Sequence, residues 1–350
     1  MSQLRLHLNE HTGGCSPAVL AAIRSLTRED LACYPDYDEV TRACERWFGV
    51  PRGWVQLTNG LDEGLKLVAE LAARRSGVSH GSDTGQTRVR HVPDPALIVE
   101  PAFEMYAASA DAIGLPHRHI PPEPNFRFPL EALLAAISPA TPLIFLTDPN
   151  NPTGLAIPPG AVERIAIAAP ATLVFLDEAY AEYSGRTFIG PALERRRNLI
   201  VGRTFAKAFG MAGLRAGALV AHPDTLAPIR RHIPPFNVNV VAARALQAAL
   251  DDRAYVAASV AAAAESRELV YSWCRQRGIP HWPSEGNFVL MRVGDPTEPI
   301  VRGMAGRGIL VRDRTTAPGC GGCIRITAGI VDHTRACLAA LEDVLASRPN

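Results

Sequence analysis

Arg203-Thr204-Phe205-Ala206-Lys207-Ala208-Phe209-Gly210-Met211-Ala212-Gly213-Leu214-Arg215 is the stretch whose reading decides the fold. Its lysine is one of only two in the chain, and every other cationic side chain, histidines apart, is an arginine. A guanidinium keeps its proton in a protein, whereas a desolvated lysine ammonium can lose it and become a neutral nucleophile able to form a Schiff base. Lys207 follows the apolar run Leu199-Ile200-Val201 and precedes a segment with few charges, so a solvated surface charge explains it poorly. Lys66 is the contrast. It lies three residues after Glu63 and four before Glu70 on a predicted helix, where surface ion pairing accounts for it.

Upstream of Lys207 the pattern is α/β. Apolar runs Leu97-Ile98-Val99, Leu143-Ile144-Phe145-Leu146, Leu173-Val174-Phe175-Leu176 and Leu199-Ile200-Val201 alternate with helical stretches near 103–113, 129–137 and 159–169. Continuous apolar strands separated by helices predict a mostly parallel sheet covered on both faces. Ligands of such sheets sit beyond the C-terminal strand ends. The segments there are Glu100-Pro101-Ala102-Phe103, Asp148-Pro149-Asn150-Asn151-Pro152-Thr153-Gly154, Asp177-Glu178-Ala179-Tyr180, and Thr204 to Lys207. Each has a plain structural reading: Phe103 as core, Asn-Pro-Thr-Gly as a turn, a carboxylate as a helix cap. An aromatic, an amide, a carboxylate with a tyrosine, and a lysine at four consecutive strand ends point instead to one site.

Nearer the N-terminus, Ser16-Pro17 opens a short helix to Thr27, with Val19, Leu20 and Ile23 at helical spacing. Tyr34-Pro35-Asp36-Tyr37 interrupts, and a second helix runs through Val40, Ala43, Trp47 and Phe48. Trp54-Val55-Gln56-Leu57 reads as a strand leading into Thr58-Asn59-Gly60-Leu61-Asp62, which opens a helix to about Arg75. A strand, a glycine turn and a helix start make an anion site, because free N–H groups and the helix dipole face one point. Residues 76–94 read as a surface insertion. After residue 222, His232-Ile233-Pro234-Pro235-Phe236 breaks the chain, and alanine-rich helices over 238–277 follow. Strands at Asn287–Met291, Ile309–Val311 and Cys323–Thr327 and a last helix over 332–346 complete a smaller α+β domain. The expected division is an N-terminal arm and helix at 1–33 joining the small domain, a large domain at 34–225, and a small domain at 226–350.

At 350 residues, 47% hydrophobic and a formal net charge of +1, the chain suits a soluble enzyme and gives no sign of a nucleic-acid or membrane partner. Met1–His7 lacks an apolar core of signal-peptide length, and no run approaches a membrane span, so a cytoplasmic location is expected. Seven scattered cysteines read as reduced thiols. Cys320-Gly321-Gly322-Cys323 has a metal-like spacing but no second pair and no histidine cluster, so no metal site is expected.

The ordered set Asn-Asn-Pro-Thr-Gly, Asp-Glu-Ala-Tyr, Thr-Phe-Ala-Lys-Ala-Phe-Gly-Met-Ala-Gly-Leu-Arg and Ile-Arg-Ile-Thr resembles the fold-type I aminotransferases that use pyridoxal 5′-phosphate, and within them most closely the histidinol-phosphate aminotransferases. The likeness runs from Leu8-Asn9-Glu10 to the last helix. It implies an aspartate-aminotransferase-like fold with the large and small domains above. It also implies roles: Lys207 would hold the cofactor and move the proton, Asp177 would pair with the pyridine nitrogen, Tyr180 and Asn151 would reach its phenolic oxygen, and Phe103 would stack on the ring. The phosphate would sit at Gly60-Leu61-Asp62 with Thr204 and Arg215, and Tyr34 would reach it from the neighbouring subunit of a homodimer.

For the substrate, Arg325 matches the arginine that binds the anionic end and Arg312 stands as a second, each with a surface charge as its plain reading. Arg314 is read as a surface charge. Asn287 either lines the site or completes a turn. Two positions depart from the family: Ala206 stands where a serine often contacts the cofactor phosphate, and Gly13 where many histidinol-phosphate enzymes carry a tyrosine. The implied activity is transamination between histidinol phosphate and 2-oxoglutarate. A threonine-phosphate decarboxylase and an aromatic aminotransferase are the alternatives within the family. A regulatory module that binds the cofactor without turnover is the alternative outside it, disfavoured by the lack of any basic helix-turn-helix stretch.

Overall fold

The computed structural model describes residues 3–77 and 94–347; the insertion expected at 76–94 lies outside them except at its edges. Among the described residues twelve strands are formed: β1 (Leu4–Arg5), β2 (Val55–Asn59), β3 (Ala96–Val99), β4 (His117–Ile120), β5 (Leu143–Thr147), β6 (Leu173–Asp177), β7 (Leu199–Thr204), β8 (Ala216–Val220), β9 (Phe288–Arg292), β10 (Ile309–Leu310), β11 (Arg312–Asp313) and β12 (Cys323–Thr327). Seven build one sheet in the order β2-β8-β7-β6-β5-β3-β4. Only β8 runs against its neighbours, and β7, β6, β5, β3 and β4 are parallel.

Alternate residues of the central strands go to opposite faces, and both faces are apolar. Leu97, Ile144, Leu146, Val174, Leu176, Leu199 and Val201 join one core cluster, while Ile98, Leu143, Phe145, Leu173, Phe175 and Ile200 join the other. This explains the continuous runs in the sequence, since a strand covered on both sides has no polar face to show. The helix Gly60–Arg75 covers the second face and buries Leu61, Leu65, Val68 and Ala72 there.

A second, antiparallel sheet has the order β11-β12-β9, and β1 pairs in parallel with β10 beside it. The strand expected at Ile309–Val311 is therefore divided: β10 takes the N-terminal arm, and the chain then turns at Val311 to give β11 to the small sheet. Its core is separate and holds Leu6, Val289, Met291, Ile324, Ile326 and Leu341. The expected division of the chain differs from this packing in two places. The helices Pro17–Arg24 and Val240–Asp251 pack on each other, and their buried residues Val19, Ala242 and Leu246 belong to a large-sheet cluster. The long helix Arg253–Gln276 starts in that cluster at Val256 and ends in the small-sheet core at Val270 and Cys274. Alanine-rich sequence carries no mark of which sheet it covers, so composition did not locate this boundary. Among the described residues no helix is long and apolar enough to cross a membrane.

Candidate active site

The C-terminal ends of β3, β5, β6 and β7 lie side by side in the large sheet and face one cavity of about 200 Å³. Lys207 lines it. After β7 the chain turns through bonds from Gly210 N–H to Lys207 O (3.0 Å) and from Met211 N–H to Phe205 O (3.2 Å). Phe205 and Phe209 are buried beneath the turn, edge to face at 5.1 Å, so the lysine stands on a fixed base. Its Nζ donates to Leu8 O at 3.1 Å. Burial, and then the Arg325 guanidinium, lower the ammonium pKa to about 8.

Asp177 ends β6, opposite Thr147 of β5, and is 4% exposed. Its Oδ1 accepts from Ala179 N–H at 2.9 Å and its Oδ2 from the Tyr106 hydroxyl at 2.7 Å. Burial raises the carboxyl to about 6, against the pull of Tyr106, Ala179 and Lys207. Tyr180 is buried nearby and accepts from Asn9 Nδ2 at 2.9 Å. Asn9 is bent into the left-handed region at φ 55, which asparagine tolerates, and so turns its amide toward the site. Asn151 Oδ1 accepts from Arg325 Nη1, and Arg325 Nη2 donates to His7 O at 2.8 Å. Burial lowers the Arg325 guanidinium to about 10.

At the end of β2 the helix Gly60–Arg75 begins without a side-chain cap, so its first N–H groups are left free for another acceptor. Gly60 has φ +71, and a Cβ there would lie 2.5 Å from Arg215 Nη2; one on Gly217 of β8 would lie 2.7 Å from Gly60 C. Two glycines thus let β8, the helix start and Arg215 close up. Arg215 Nη2 donates to Asp62 Oδ2 at 2.8 Å. Leu61, Asp62, Phe103, Thr204 and Ala206 line the same cavity.

Of the residues expected at the site, Lys207, Asp177, Tyr180, Asn151, Phe103, Leu61, Asp62, Thr204, Arg215, Arg312 and Arg325 are brought together around the cavity, with Gly60 directly behind Arg215. Asn287 is not among the lining residues. It is buried, and its Nδ2 donates to Asn9 O at 3.1 Å, which secures the N-terminal arm. Tyr34 lies outside, 78% exposed and stacked on Phe236 at 4.1 Å. Gly13 does not line the cavity either, and a Cβ there would lie 2.9 Å from Ile330 Cδ1. Arg314 corrects the sequence reading: it is 6% exposed rather than on the surface, and it lines the cavity with Glu104 as its partner. Asn9, Tyr106 and Glu104 also line it. Their signals were faint, since Asn9 stood in the N-terminal arm and Tyr106 and Glu104 fell within the helical stretch expected near 103–113, with no motif to single them out.

The donor set fits pyridoxal phosphate. An uncapped helix start beside Arg215 suits the phosphate, a buried carboxylate suits a protonated ring nitrogen, and an amine of lowered pKa suits an aldehyde. No group of histidine, cysteine or acidic side chains among the described residues is arranged to hold a metal.

The fold is the aspartate-aminotransferase-like fold type I, and the solved structure of a Thermus thermophilus aspartate aminotransferase tetra mutant superposes with a TM-score of 0.77 at 20% identity, covering 97% of this chain and 96% of that one. The chain belongs to the family described as aminotransferase class I and II, whose profile matches residues 2–340. It is similar to "Histidinol-phosphate aminotransferase 2" of Ralstonia nicotianae, 36% identical over 354 residues, 98% of this chain and 89% of the relative. It is likewise similar to the solved histidinol-phosphate aminotransferase of Sinorhizobium meliloti in complex with pyridoxal-5′-phosphate, with 28% identity, a TM-score of 0.83, and coverage of 99% and 91%.

Proposed function

We propose that the protein is a cytoplasmic, pyridoxal-phosphate-dependent aminotransferase. It takes an amino group from histidinol phosphate, releasing imidazole acetol phosphate, and passes it to 2-oxoglutarate to give glutamate. One observation carries the reading: Arg312, Arg314 and Arg325 line the same cavity as Lys207 and Asp177. Such a wall suits a donor that bears a phosphate and an acceptor that bears carboxylates. The names of the Ralstonia and Sinorhizobium proteins support it.

Gly60-Leu61-Asp62, Thr204 and Arg215 would hold the cofactor phosphate, Phe103 the ring face, Asn151 and Tyr180 the phenolic oxygen, Asp177 the ring nitrogen and Lys207 the aldehyde. When bound, the cofactor supplies an electron sink for the reacting carbon. Lys207 Nζ serves as the base that takes the proton from the substrate carbon and as the acid that returns it. The lowered pKa keeps its neutral form accessible near pH 8. Asp177, ionised beside a cationic ring nitrogen, keeps that nitrogen protonated. Asn9 fixes the Tyr180 hydroxyl by the 2.9 Å bond, leaving its proton free to face the cofactor oxygen. Arg325 orients the anionic group of the substrate, with Arg312 beside it. Two copies associate, and Tyr34 completes the neighbouring site; its exposed stack with Phe236 is the apolar surface that supports this.

The test is single-turnover absorbance of the cofactor-loaded protein mixed separately with histidinol phosphate, glutamate, phenylalanine and threonine phosphate. The visible cofactor band is expected to disappear with the first two, and not at all in Lys207→Ala. Conversion of phenylalanine alone overturns the substrate, and carbon dioxide released from threonine phosphate makes the protein a decarboxylase.

A further inference from the structure

The cationic wall of the cavity carries a carboxylate for which the reaction above has no use. Glu104 lies just beyond Phe103 in the turn after β3, while Arg312 belongs to β11 and Arg314 follows it, so their contact joins the large sheet to the small one. Arg314 Nη1 pairs with Glu104 Oε1, and Arg312 Nη2 lies 3.6 Å from the same oxygen. Arg314 is the fixed member: its side chain is buried, and its Nε has no hydrogen-bond partner. Glu104 is the free one, with its side chain 56% exposed. Burial, the largest single influence, works to raise the Glu104 carboxyl, but the hydrogen bond from Arg314, a backbone hydrogen bond and the charges of Arg314 and Arg312 together outweigh it and hold the group below the ordinary carboxylate range. The carboxylate is therefore charged at neutral pH.

A buried guanidinium needs a counter-ion, because an unpaired charge inside a protein is strongly destabilising. Glu104 provides one. Yet it does so on two arginines that line the cavity of the lysine, where the anionic group of the substrate has to bind. A carboxylate and a phosphate dianion cannot both sit there without mutual repulsion. The Arg314 side chain is held in the interior at 7% exposed, whereas Glu104 at 56% can swing its carboxylate out into water and leave the guanidinium in place.

We propose that Glu104 is an internal counter-ion that exchanges places with the phosphate of the amino donor on Arg312 and Arg314. Arg314 thereby becomes part of the substrate site, and the ligand class is a phosphomonoester dianion. A monoanionic carboxylate, by contrast, is satisfied by Arg325 and leaves Glu104 where it is. One cavity then accepts the doubly charged donor and the singly charged groups of glutamate in turn. This rests on the donor reading above and adds to it the residues that tell a phosphate from a carboxylate.

The experiment is calorimetric titration of the cofactor-loaded protein with inorganic phosphate in phosphate-free buffer, for the wild type, Glu104→Gln, and Glu104→Gln combined with Arg314→Gln. The loaded protein is chosen because the cofactor fills its own phosphate site. Glu104→Gln is isosteric at a half-exposed position, and an unchanged cofactor spectrum verifies that it is folded. Phosphate is expected to bind Glu104→Gln about tenfold more tightly than wild type, the size of effect that a close charge pair carries. The second substitution removes the gain. In steady state, KM for histidinol phosphate falls in Glu104→Gln while KM for glutamate stays within about twofold. Phosphate binding that is unchanged or weaker in Glu104→Gln overturns the proposal and makes Glu104 a fixed support of the arginines. An equal fall in KM for glutamate overturns it too. If wild type ignores histidinol phosphate yet Glu104→Gln still gains phosphate affinity, the donor reading falls and the exchange site stands for another phosphomonoester.

Discussion

Burial raises the Asp177 carboxyl from 3.8 to about 6, so the unfolded chain gives up this proton at lower pH than the folded one. Stability from this group therefore falls as pH rises from about 4 through 6, and above that the ionised carboxylate is a standing cost to the cofactor-free fold. Asp177→Asn is expected to stabilise the cofactor-free protein at pH 7.5 by roughly 1–3 kcal/mol, with the gain shrinking as pH drops toward 4. The amide can be accommodated, because the Tyr106 hydroxyl also lies 2.7 Å from Thr147 Oγ1 and can turn its proton there. Denaturant unfolding with and without cofactor checks this; equal stability of the two proteins at pH 7.5 would contradict the burial argument. The same substitution is expected to lower kcat/KM by roughly 10²–10⁴.

Lys207 gives a kinetic counterpart. Covalent capture of pyridoxal phosphate by the cofactor-free protein, fixed by borohydride reduction, should rise with pH through a midpoint near 8 rather than near 10.5. Arg325→Gln removes a positive charge facing the amine and should move that midpoint upward. A midpoint near 10 in the wild type would rule out the desolvated lysine. Lys207 stood out in the sequence because a lysine in apolar surroundings, in a chain otherwise almost wholly arginine, has few uses. Arg314 was not, because its burial depends on Glu104, whose contact is made 210 residues away.

At the scale of elements, the arm before the first helix is what closes the lysine side of the site. It starts on the small sheet through β1, places Leu8 O on Lys207 and Asn9 on Tyr180, and then passes over the turn after the lysine. Gly210, at φ +70, is where arm and turn touch, and a Cβ there would fall well inside contact distance of Gly14 O. Gly210→Ala should therefore destabilise the protein by at least about 1–3 kcal/mol from backbone strain alone, and should displace the arm. Gly213→Ala, three residues on, meets nothing within 4 Å and should change stability by less than about 0.5 kcal/mol. Thermal unfolding and the rate of N-terminal proteolysis separate the two, and matching values would show that the arm is not docked there.

The same scale explains which strands could be read. β3, β5, β6 and β7 were visible because both faces are buried and the runs Ala96–Val99, 143–146, 173–176 and 199–201 within them are wholly apolar. β4, His117-Arg118-His119-Ile120, buries only Ile120 at the sheet edge and has no pattern to show. β8 was hidden for a packing reason: Gly217 must be small to let Gly60 approach, and Ala216-Gly217-Ala218 then reads as a continuation of the loop.

For the whole molecule, the groups proposed to be catalytic come from the large sheet and the arginines proposed to bind substrate from the small one, and the helix Arg253–Gln276 is rooted in both cores. The remaining contribution is the one proposed from a second copy. Tyr34 and Phe236 form a stacked pair that is 78% and 49% exposed, outside the cavity of their own chain. A ring held that way serves its own site poorly and a neighbour's well. Subunit mixing decides between the two. Lys207→Ala and Tyr34→Ala are each expected to be nearly inactive as homodimers. In a mixed dimer, the subunit carrying Tyr34→Ala keeps its lysine and receives Tyr34 from its partner, while the other site lacks both. Equal mixing makes half the dimers mixed with one complete site in two, so activity should return to about a quarter of wild type. If Tyr34 serves only its own chain, no mixed dimer contains a complete site and nothing returns. Full activity of Tyr34→Ala alone would remove the residue from the chemistry altogether.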